Sequence, residues 1–163
     1  MTEPTASRPY MPGYLAPDKG GTLPWSWAEE RLKSSHCYWV ATVRPDGRPH
    51  ASPVWGVWFD SCLWFSCDPT SIKARNIAAN PACAITTENP LEPVVVDGTA
   101  ALVSDRPDVV RYVDAERVKY ATEWNEAVFT VEFFEGGTFR VTPTSVFGLE
   151  EKKFGTSPTR WTF

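Results

Sequence analysis

The distribution of apolar residues along the first half of the chain predicts three β-strands. Tyr38 to Arg44 is rich in β-forming residues, and Pro45-Asp46-Gly47 supplies turn chemistry before a second strand from Pro49 to about Phe59. A tight connection at residues 60–61 leads into a third strand over residues 62–66. These strands carry few charges on either face, so we expect a three-stranded meander that is buried on both sides.

Three further strands are predicted in the second half of the chain. Residues 82–88 form the fourth strand, and residues 94–103 form the fifth, which Asp97-Gly98 interrupts with a kink or a bulge. Residues 139–149 form the last strand, where Pro143 is tolerable only at an edge or a bulge.

Three other segments have the spacing of short amphipathic helices. They run from a Ser26 cap to about Ser35, from an Asp68 or Thr70 cap to Asn80, where Pro81 stops the helix, and from Pro107 to roughly Trp124. Residues 127–135 fit no single pattern. Six short strands, mostly joined by hairpins and with small helices between them, predict a mainly β, antiparallel barrel rather than a doubly wound sheet.

Residues 1–24 differ in composition from the rest of the chain. They contain five prolines and three glycines, which break both helix and strand. We therefore expect a flexible N-terminal arm, residues 1–24, followed by one domain, residues 25–163. The arm is either disordered or lies over a partner subunit, and the composition fits both.

Composition and charge exclude several classes of function. A chain of 163 residues with 42% hydrophobic content is long enough to bury one core without crosslinks. The net charge of −4 and pI near 5.2 argue against a nucleic-acid footprint. Only two histidines are present and the four cysteines are interpreted as reduced thiols, so we expect no metal site. Without an apolar span or a signal peptide, a cytoplasmic protein that does not enter the membrane is expected.

The usual nucleotide-binding and hydrolytic motifs are missing, which leaves one candidate segment for chemistry. Residues 66–76 place Ser71, Lys73 and Arg75 at a predicted helix N-terminus, whose free N–H groups and positive dipole end favour an anion. Lysine would act there as a compact charge and arginine as a planar fork. A phosphate cradle is one interpretation, and a solvated helix whose Lys73 and Arg75 face water is the other.

The order of several short motifs resembles the pyridoxamine 5′-phosphate oxidase-like split-barrel superfamily, in particular its actinobacterial branch that includes deazaflavin (coenzyme F420)-dependent reductases. The motifs are Trp39-Val-Ala-Thr-Val-Arg-Pro-Asp-Gly-Arg-Pro-His50-Ala-Ser-Pro-Val-Trp55-Gly, Leu63-Trp-Phe-Ser66, Ser71-Ile-Lys73-Ala-Arg75-Asn76, Asn80-Pro81 and Pro158-Thr-Arg-Trp161-Thr-Phe. The resemblance covers about residues 25–163 and implies a homodimer of six-stranded split barrels with two cofactor sites between the subunits.

The resemblance also implies which residues bind the cofactor. Ser52, Pro53, Val54 and Trp55 would lie along the edge of the isoalloxazine or deazaflavin ring, Phe65 and Ser66 near the ring or ribityl chain, Ser71, Lys73 and Arg75 at the phosphate, and Arg160 and Trp161 would reach the site from the partner subunit. Trp55, Trp58 and Trp64 lie on adjacent predicted strands, and each of them either stacks on the ring or packs in the core or the dimer interface.

Two departures from the superfamily pattern bear on the activity. Ser52 stands where enzymes acting on the vitamin B6 phosphate use a basic residue, and Ile72 stands where they have arginine. Oxidation of pyridoxamine phosphate is therefore disfavoured. The first hypothesis is hydride transfer from reduced coenzyme F420 to an unsaturated small molecule such as an enone or a tetrapyrrole, with no catalytic side chain assigned. The second is an FMN-dependent oxidoreductase, and the third is a non-catalytic protein that binds a flavin, a deazaflavin or haem.

Overall fold

The computed structural model of the protein describes residues 3–14 and 20–163. In these residues nine strands form one antiparallel sheet. The strands are β1 (Thr5–Ser7), β2 (Tyr38–Val43), β3 (Pro49–Val54), β4 (Gly56–Phe59), β5 (Cys62–Ser66), β6 (Ala82–Thr87), β7 (Val94–Leu102), β8 (Thr138–Gly148) and β9 (Thr159–Thr162). The helices are α1 (Trp25–Ser34), α2 (Ile72–Ala79), α3 (Arg106–Tyr120) and α4 (Val131–Phe134), with 3-10 turns at Glu126–Val128 and Glu151–Lys153.

The long strand β8 is the centre of the topology. It pairs with β7 along most of its length, with β9 at one end and with β5 at the other. The sheet continues from β7 through β6 and β2 to β3, while β4 pairs with β5. The consecutive strands β3 and β4 are not paired with each other, so the rolled sheet is left open between them. This is a split β-barrel, and the predicted fold class is confirmed.

The opening between β3 and β4 overturns part of the sequence interpretation. One continuous strand from Pro49 to Phe59 and a three-stranded meander were expected, but the strand is interrupted at Trp55 and its second half belongs to the opposite side of the barrel. The interruption is fixed from α3. The Tyr120 hydroxyl accepts the N–H of Gly56 at 3.1 Å, and the Lys119 ammonium donates to the Gly56 carbonyl at 2.8 Å. No local pattern reveals an anchor that lies so far along the chain.

Two apolar clusters lie on either side of the barrel wall. The first fills the barrel and is closed at one end by α1, which buries Ala28 and Leu32 on one face. The second lies beneath α3, where Trp64 stacks on Tyr112 and Tyr112 meets Phe134 edge to face. The α3 face that points into this cluster is Val109, Tyr112, Val113, Glu116 and Tyr120, which follows the spacing of helix turns. One member of that face, Glu116, is a carboxylic acid.

The caps of the helices differ from the expected ones. Pro24, not Ser26, precedes α1, and no side chain caps that helix. At α2 the cap is Ser71, whose Oγ accepts the N–H of Ala74 at 3.3 Å. Asp68 instead accepts the N–H of Thr70 at 2.6 Å, in a turn before the helix.

Three further expectations concern the end of α2, the end of α3 and the bulge in β7. The end of α2 at Asn80, next to Pro81, is confirmed. Helix α3 ends at Tyr120 rather than at Trp124. The predicted bulge is confirmed, because the β7–β8 register shifts between Asp97 and Gly98, opposite the Pro143 region of β8.

Three more strands are present than the six predicted. One arises from the break at Trp55, and the other two are β1 and β9, which pair with each other. The expectation that residues 1–24 form no strand is wrong at Thr5–Ser7, because Pro4 and Pro9 flank this segment without interrupting it. Residues 1–2 and 15–19 of the predicted arm lie outside the described residues, and the division into arm and domain stays a prediction. None of the helices in the described ranges has both the length and the hydropathy that a bilayer span requires.

The α3 anchor leads to a test of the split in the barrel. Replacing Tyr120 by Phe removes the hydroxyl that accepts the buried N–H of Gly56, so we expect the free energy of unfolding to fall by about 1–3 kcal/mol. Denaturant titration measures this change. Tyr10→Phe, at a tyrosine that is 92% exposed, is the matched control and should leave stability unchanged. Equal stabilities of the two variants would contradict the anchor.

Candidate functional site

The free edge of β3 forms one wall of the candidate site. The N–H of Arg44 donates to the carbonyl of Arg48, so alternation along the β2–β3 ladder turns the backbone groups of residues 50, 52 and 54 towards β2. The backbone groups of Pro49, Ala51 and Pro53 then face outward. Two of these three residues are prolines, which lack an N–H, so this edge offers carbonyl oxygens and the single N–H of Ala51.

The inner face of β3 carries unpaired polar atoms. The Oγ of Ser52 and the Nδ1 of His50 are buried and have no hydrogen-bond partner among residues 3–14 and 20–163. Orphaned buried polar atoms are uncommon in folded proteins, and at a functional site they indicate groups that await a ligand or water. Of their predicted neighbours, Val54 is buried and Pro53 is exposed.

The three tryptophans of this region have different environments. Trp58 and Trp64 are buried in the two apolar clusters, so their role is packing. Trp55 is half-buried at the break between β3 and β4. Its ring stacks on Tyr120 with centroids 4.9 Å apart and meets Trp124 edge to face at 4.7 Å. Trp55 also lines a cavity, which is described below.

The end of β5 and the start of α2 bring together most of the predicted phosphate residues. The Ser71 hydroxyl caps α2 and donates to the Cys67 sulfur at 3.4 Å, and the Ser71 carbonyl accepts the N–H of Arg75. The N–H groups of Ile72 and Lys73 are the free donors of the first turn. Neither Lys73, half-buried, nor Arg75, exposed, has a carboxylate partner within the described part of the chain.

The charged groups near this turn affect the pKa of the Cys67 thiol. Burial raises the pKa of the thiol, the hydrogen bond from Ser71 and the charge of Lys73 oppose that rise, and the Asp68 carboxylate adds to it. A cation and an anion thus both lie close to the thiol. The positive character of the turn comes from Lys73, Arg75 and the helix end, while Asp68 is tied to Thr70.

An apolar cavity adjoins this turn on the α3 side. Its volume is about 270 Å³, and it is lined by Trp55, Ser66, Glu116, Trp124, Val128, Phe129, Phe133 and Phe134. A second cavity of about 360 Å³ borders residues 66–69 and 133–137 and shares Ser66, Phe133 and Phe134 with the first. Two of the predicted cofactor residues, Trp55 and Ser66, line the first cavity.

Glu116 is the titratable group in the cavity wall. It is 1% exposed, and the Tyr112 hydroxyl donates to its Oε1 at 2.5 Å. Burial raises the pKa of the carboxyl to about 7, against the opposing effects of the Tyr112 hydrogen bond and the nearby Lys119 charge. Burial also lowers the pKa of Lys119 to about 8. Sequence reasoning missed Glu116, although its spacing from Val109 and Tyr120 places it on the apolar face of α3.

The remaining predicted residues do not converge on this region within one chain. Phe65 is fully buried and stacks on Phe139 with centroids 5.4 Å apart. Trp161 is also fully buried and packs against Trp25 and Trp27, so its ring is enclosed by its own chain and is not free to reach a site on a partner. Arg160 is exposed on β9 and donates to the hydroxyl of Ser145 at 3.2 Å.

The fold places the protein in the class of split β-barrel proteins. Residues 27–148 match the family described as pyridoxamine 5′-phosphate oxidase. This is more than half of the chain, and the protein belongs to that family of flavin-type oxidoreductases. No curated protein sequence matches the chain.

Solved structures with the same fold include proteins of different named function. A conserved hypothetical protein from Mycobacterium tuberculosis is 19% identical, with a TM-score of 0.71 over 86% of this chain and 92% of that one. An F420 reductase is 28% identical, with a TM-score of 0.59 over 72% of this chain and 94% of its own. A heme binding protein from Mycobacterium smegmatis is 18% identical, with a TM-score of 0.63 over 78% and 55%.

The buried carboxyl leads to a prediction about pH and stability. In the folded chain Glu116 stays protonated to about pH 7, whereas its ordinary pKa is 4.5. The stabilisation from the neutral group is complete below pH 4.5 and is lost as the pH rises to about 7. Relative to wild type, Glu116→Gln should therefore gain up to about 3 kcal/mol over this range.

Denaturant unfolding at several pH values measures this gain. Glu151→Gln, which changes an exposed glutamate, is the control and should follow the wild-type profile. A constant difference between wild type and Glu116→Gln across the range would contradict a raised pKa.

Proposed function

We propose that the protein is an oxidoreductase that binds the deazaflavin coenzyme F420 and transfers hydride to an unsaturated small molecule. The observation that carries this proposal is the turn between β5 and α2, where Lys73 has no carboxylate partner within the described chain and lies beside free helix N–H groups. In this proposal the turn binds a phosphate group of the cofactor, and the redox ring lies next to it. The protein belongs to a family of flavin-type oxidoreductases.

The residues along β3 and β5 fit a planar ring bearing carbonyl and N–H groups. Ser52 supplies an unpaired buried hydroxyl, and the N–H and carbonyl of Ala51 face outward on the free edge of β3. Trp55 and Ser66 border the adjoining cavity. These are the donors, acceptors and aromatic surface that a flavin or deazaflavin requires. When bound, such a group supplies the hydride or electrons that no side chain can supply.

One observation favours the deazaflavin over FMN. The F420 reductase, at 28% identity, covers 72% of this chain and nearly all of its own length. The uncharged Ser52 and Ile72 argue against pyridoxamine phosphate as the substrate and do not distinguish the two cofactors. FMN in the same site is the second candidate, and binding of haem or flavin without turnover is the third, for which the heme binding neighbour is the motivation.

Different residues of the chain would contact the phosphate and the ring of the cofactor. Lys73 and the first-turn N–H groups would hold the phosphate, with Arg75 exposed at the rim. Ser71 would contribute by fixing the helix end, because its hydroxyl already has two partners inside the chain. The aromatic wall at Trp55 would exclude water from one face of the ring.

A homodimer is part of this proposal. The outer face of the β2–β3 hairpin carries no charge and leaves Trp39 47% and Val43 38% exposed. The residues that alternate onto this face are Trp39, Ala41, Val43, Pro49, Ala51 and Pro53. A second copy of the chain would cover this patch and bring Arg160 of the partner subunit towards the site.

Cofactor titration tests the phosphate site. We expect reduced or oxidised coenzyme F420 to bind the wild-type protein and Lys73→Ala to bind it roughly ten- to a hundredfold more weakly, because one charge-assisted contact to phosphate is lost. The same titration with FMN ranks the two cofactors. Lys33→Ala removes an exposed lysine on α1 and serves as the control, with unchanged affinity expected. Equal affinity of Lys73→Ala and wild type would remove the site.

Light scattering in solution tests the dimer. We expect a mass of about twice 18.2 kDa for the wild-type protein. Trp39→Glu places a charge at the centre of the uncharged hairpin face and should give a monomer that binds cofactor weakly. Trp124→Glu changes another half-exposed tryptophan, outside the hairpin face, and should remain dimeric. A wild-type protein that is monomeric at all concentrations would contradict the dimer.

A further inference from the structure

We propose that the cavity lined by Glu116 is the substrate pocket of this protein, and that the Glu116 carboxyl donates the proton that accompanies hydride transfer. The inference rests on the proposed oxidoreductase function, and it assigns a substrate class and a catalytic residue to it. The substrate would be a small, neutral, flat molecule with a carbon–carbon double bond conjugated to a carbonyl group.

The lining of the cavity defines that substrate class. Five of its eight residues are aromatic, and Glu116 is the one ionisable side chain among them. The volume of about 270 Å³ is at the small end of the range for ligand pockets. A charged or strongly polar ligand would find few partners on these walls, whereas a planar conjugated molecule would lie against the rings of Trp55 and Phe129.

The cavity lies beside the residues that are predicted to bind the cofactor. Trp55 follows directly after the β3 residues that are predicted to border the ring, and Ser66 ends the strand that leads into the phosphate turn. Both residues also line the cavity. A molecule in the cavity would therefore lie next to the redox ring and not behind the phosphate.

Only one carboxyl oxygen of Glu116 has a hydrogen-bond partner among the described residues. Its Oε1 accepts the Tyr112 hydroxyl, whereas Oε2 has no hydrogen-bond partner in the described residues. The side chain is 1% exposed and borders the cavity, so a ligand there is its natural second partner. The other ionisable groups coupled to it are Tyr112, Lys119 and Tyr120 on α3 and, from β2, Tyr38.

The protonation state of Glu116 suits a proton donor. Because burial raises the pKa of this carboxyl to about 7, a large share of the protein carries the proton at neutral pH. Once ionised, the carboxylate keeps the Tyr112 hydrogen bond and the nearby positive charge of Lys119. The carboxyl can therefore release its proton and regain it from solvent.

The proposed step balances in atoms and electrons. The double bond of the substrate takes up a hydride at the carbon remote from the carbonyl, and the reduced deazaflavin or flavin that donates it is oxidised by two electrons. The adjacent carbon takes up a proton as the O–H bond of Glu116 breaks. The product is the saturated carbonyl compound, and the Glu116 carboxylate is reprotonated by water.

The first experiment tests the pocket without any turnover. Benzylideneacetone, a neutral aromatic enone, should quench the tryptophan fluorescence of the cofactor-free protein, because Trp55 and Trp124 are in the cavity wall. Val128→Trp fills the cavity and should weaken binding at least tenfold, whereas Val118→Trp, at an 89% exposed position on α3, should not. Equal binding by the two variants would overturn the pocket.

The second experiment tests the proton donor. In a single turnover with reduced cofactor, the wild-type rate should fall as the pH rises through about 7. Glu116→Gln should bind benzylideneacetone as wild type does but react roughly a hundredfold more slowly at pH 6, with a flat pH profile. Glu116→Asp should restore part of the rate and of the pH dependence, and Glu151→Gln should match wild type.

The outcomes separate this inference from the proposed function. If wild type binds and oxidises the cofactor but Glu116→Gln keeps the wild-type rate and pH profile, the proton donor is overturned and the oxidoreductase stands. If wild type binds no flavin or deazaflavin, the proposed function and this inference are both overturned. Circular dichroism of each variant establishes that it is folded before it is compared.

Discussion

The hydrogen bonds between α3 and the backbone of Gly56 are the constraint on which the rest of the architecture depends. A strand that passed smoothly from Pro49 to Phe59 would keep β3 and β4 on one side of the barrel. The Tyr120 hydroxyl and the Lys119 ammonium instead satisfy the N–H and carbonyl of Gly56, which strand pairing would otherwise satisfy. The interruption leaves one edge of β3 free and turns Trp55 towards α3. The free edge and the half-buried indole are both consequences of this contact.

The same helix face that fixes the barrel also forms the wall of the cavity. Tyr112, Glu116 and Tyr120 follow one another along α3 at the spacing of helix turns, so a single rigid element holds the carboxyl and the anchor at a fixed separation. Burying Glu116 and Lys119 costs desolvation energy, which their mutual attraction and the tyrosine hydroxyls offset in part. A buried carboxyl with a raised pKa in the wall of a cavity, as at Glu116, is typical of a functional site, where stability is given up for chemistry.

The elements that sequence reasoning predicted correctly are those with local causes. The hairpin at Pro45-Asp46-Gly47, the stop of α2 before Pro81 and the bulge at Asp97-Gly98 each follow from residues within a few positions. The break at Trp55 was missed because its anchor, Tyr120, is 64 residues from Gly56 in sequence. Strands β1 and β9 were missed because they are short and depend on pairing with distant parts of the chain. Strand β9 pairs with β8, and β1 pairs with β9.

The residues of the candidate site also divide into those with a local sequence signal, which were predicted, and those without one, which were not. The Ser71 to Arg75 segment was found because a cap followed by two cations is a local signal, although the capping residue was wrong. Glu116 was missed because a glutamate in an amphipathic helix is ordinarily exposed, whereas the helix period places this one inward. The roles of Trp55, Trp58 and Trp64 could not be separated, because all three lie on predicted strands and only the interruption of one strand distinguishes them.

The two sides of the cavity have different structural origins, and this bears on how specificity would arise. One side consists of the sheet and α3, whose backbone hydrogen bonds are regular. The other consists of the 3-10 turn Glu126–Val128 and the four-residue helix α4, which supply Val128, Phe129, Phe133 and Phe134. Short, irregular segments tolerate substitution and insertion better than the strands that support them. If the proposed function holds, a barrel with this arrangement would keep the strand edge that borders the cofactor while the segment between α3 and β8 changes, so cofactor binding and substrate choice would depend on different parts of the chain.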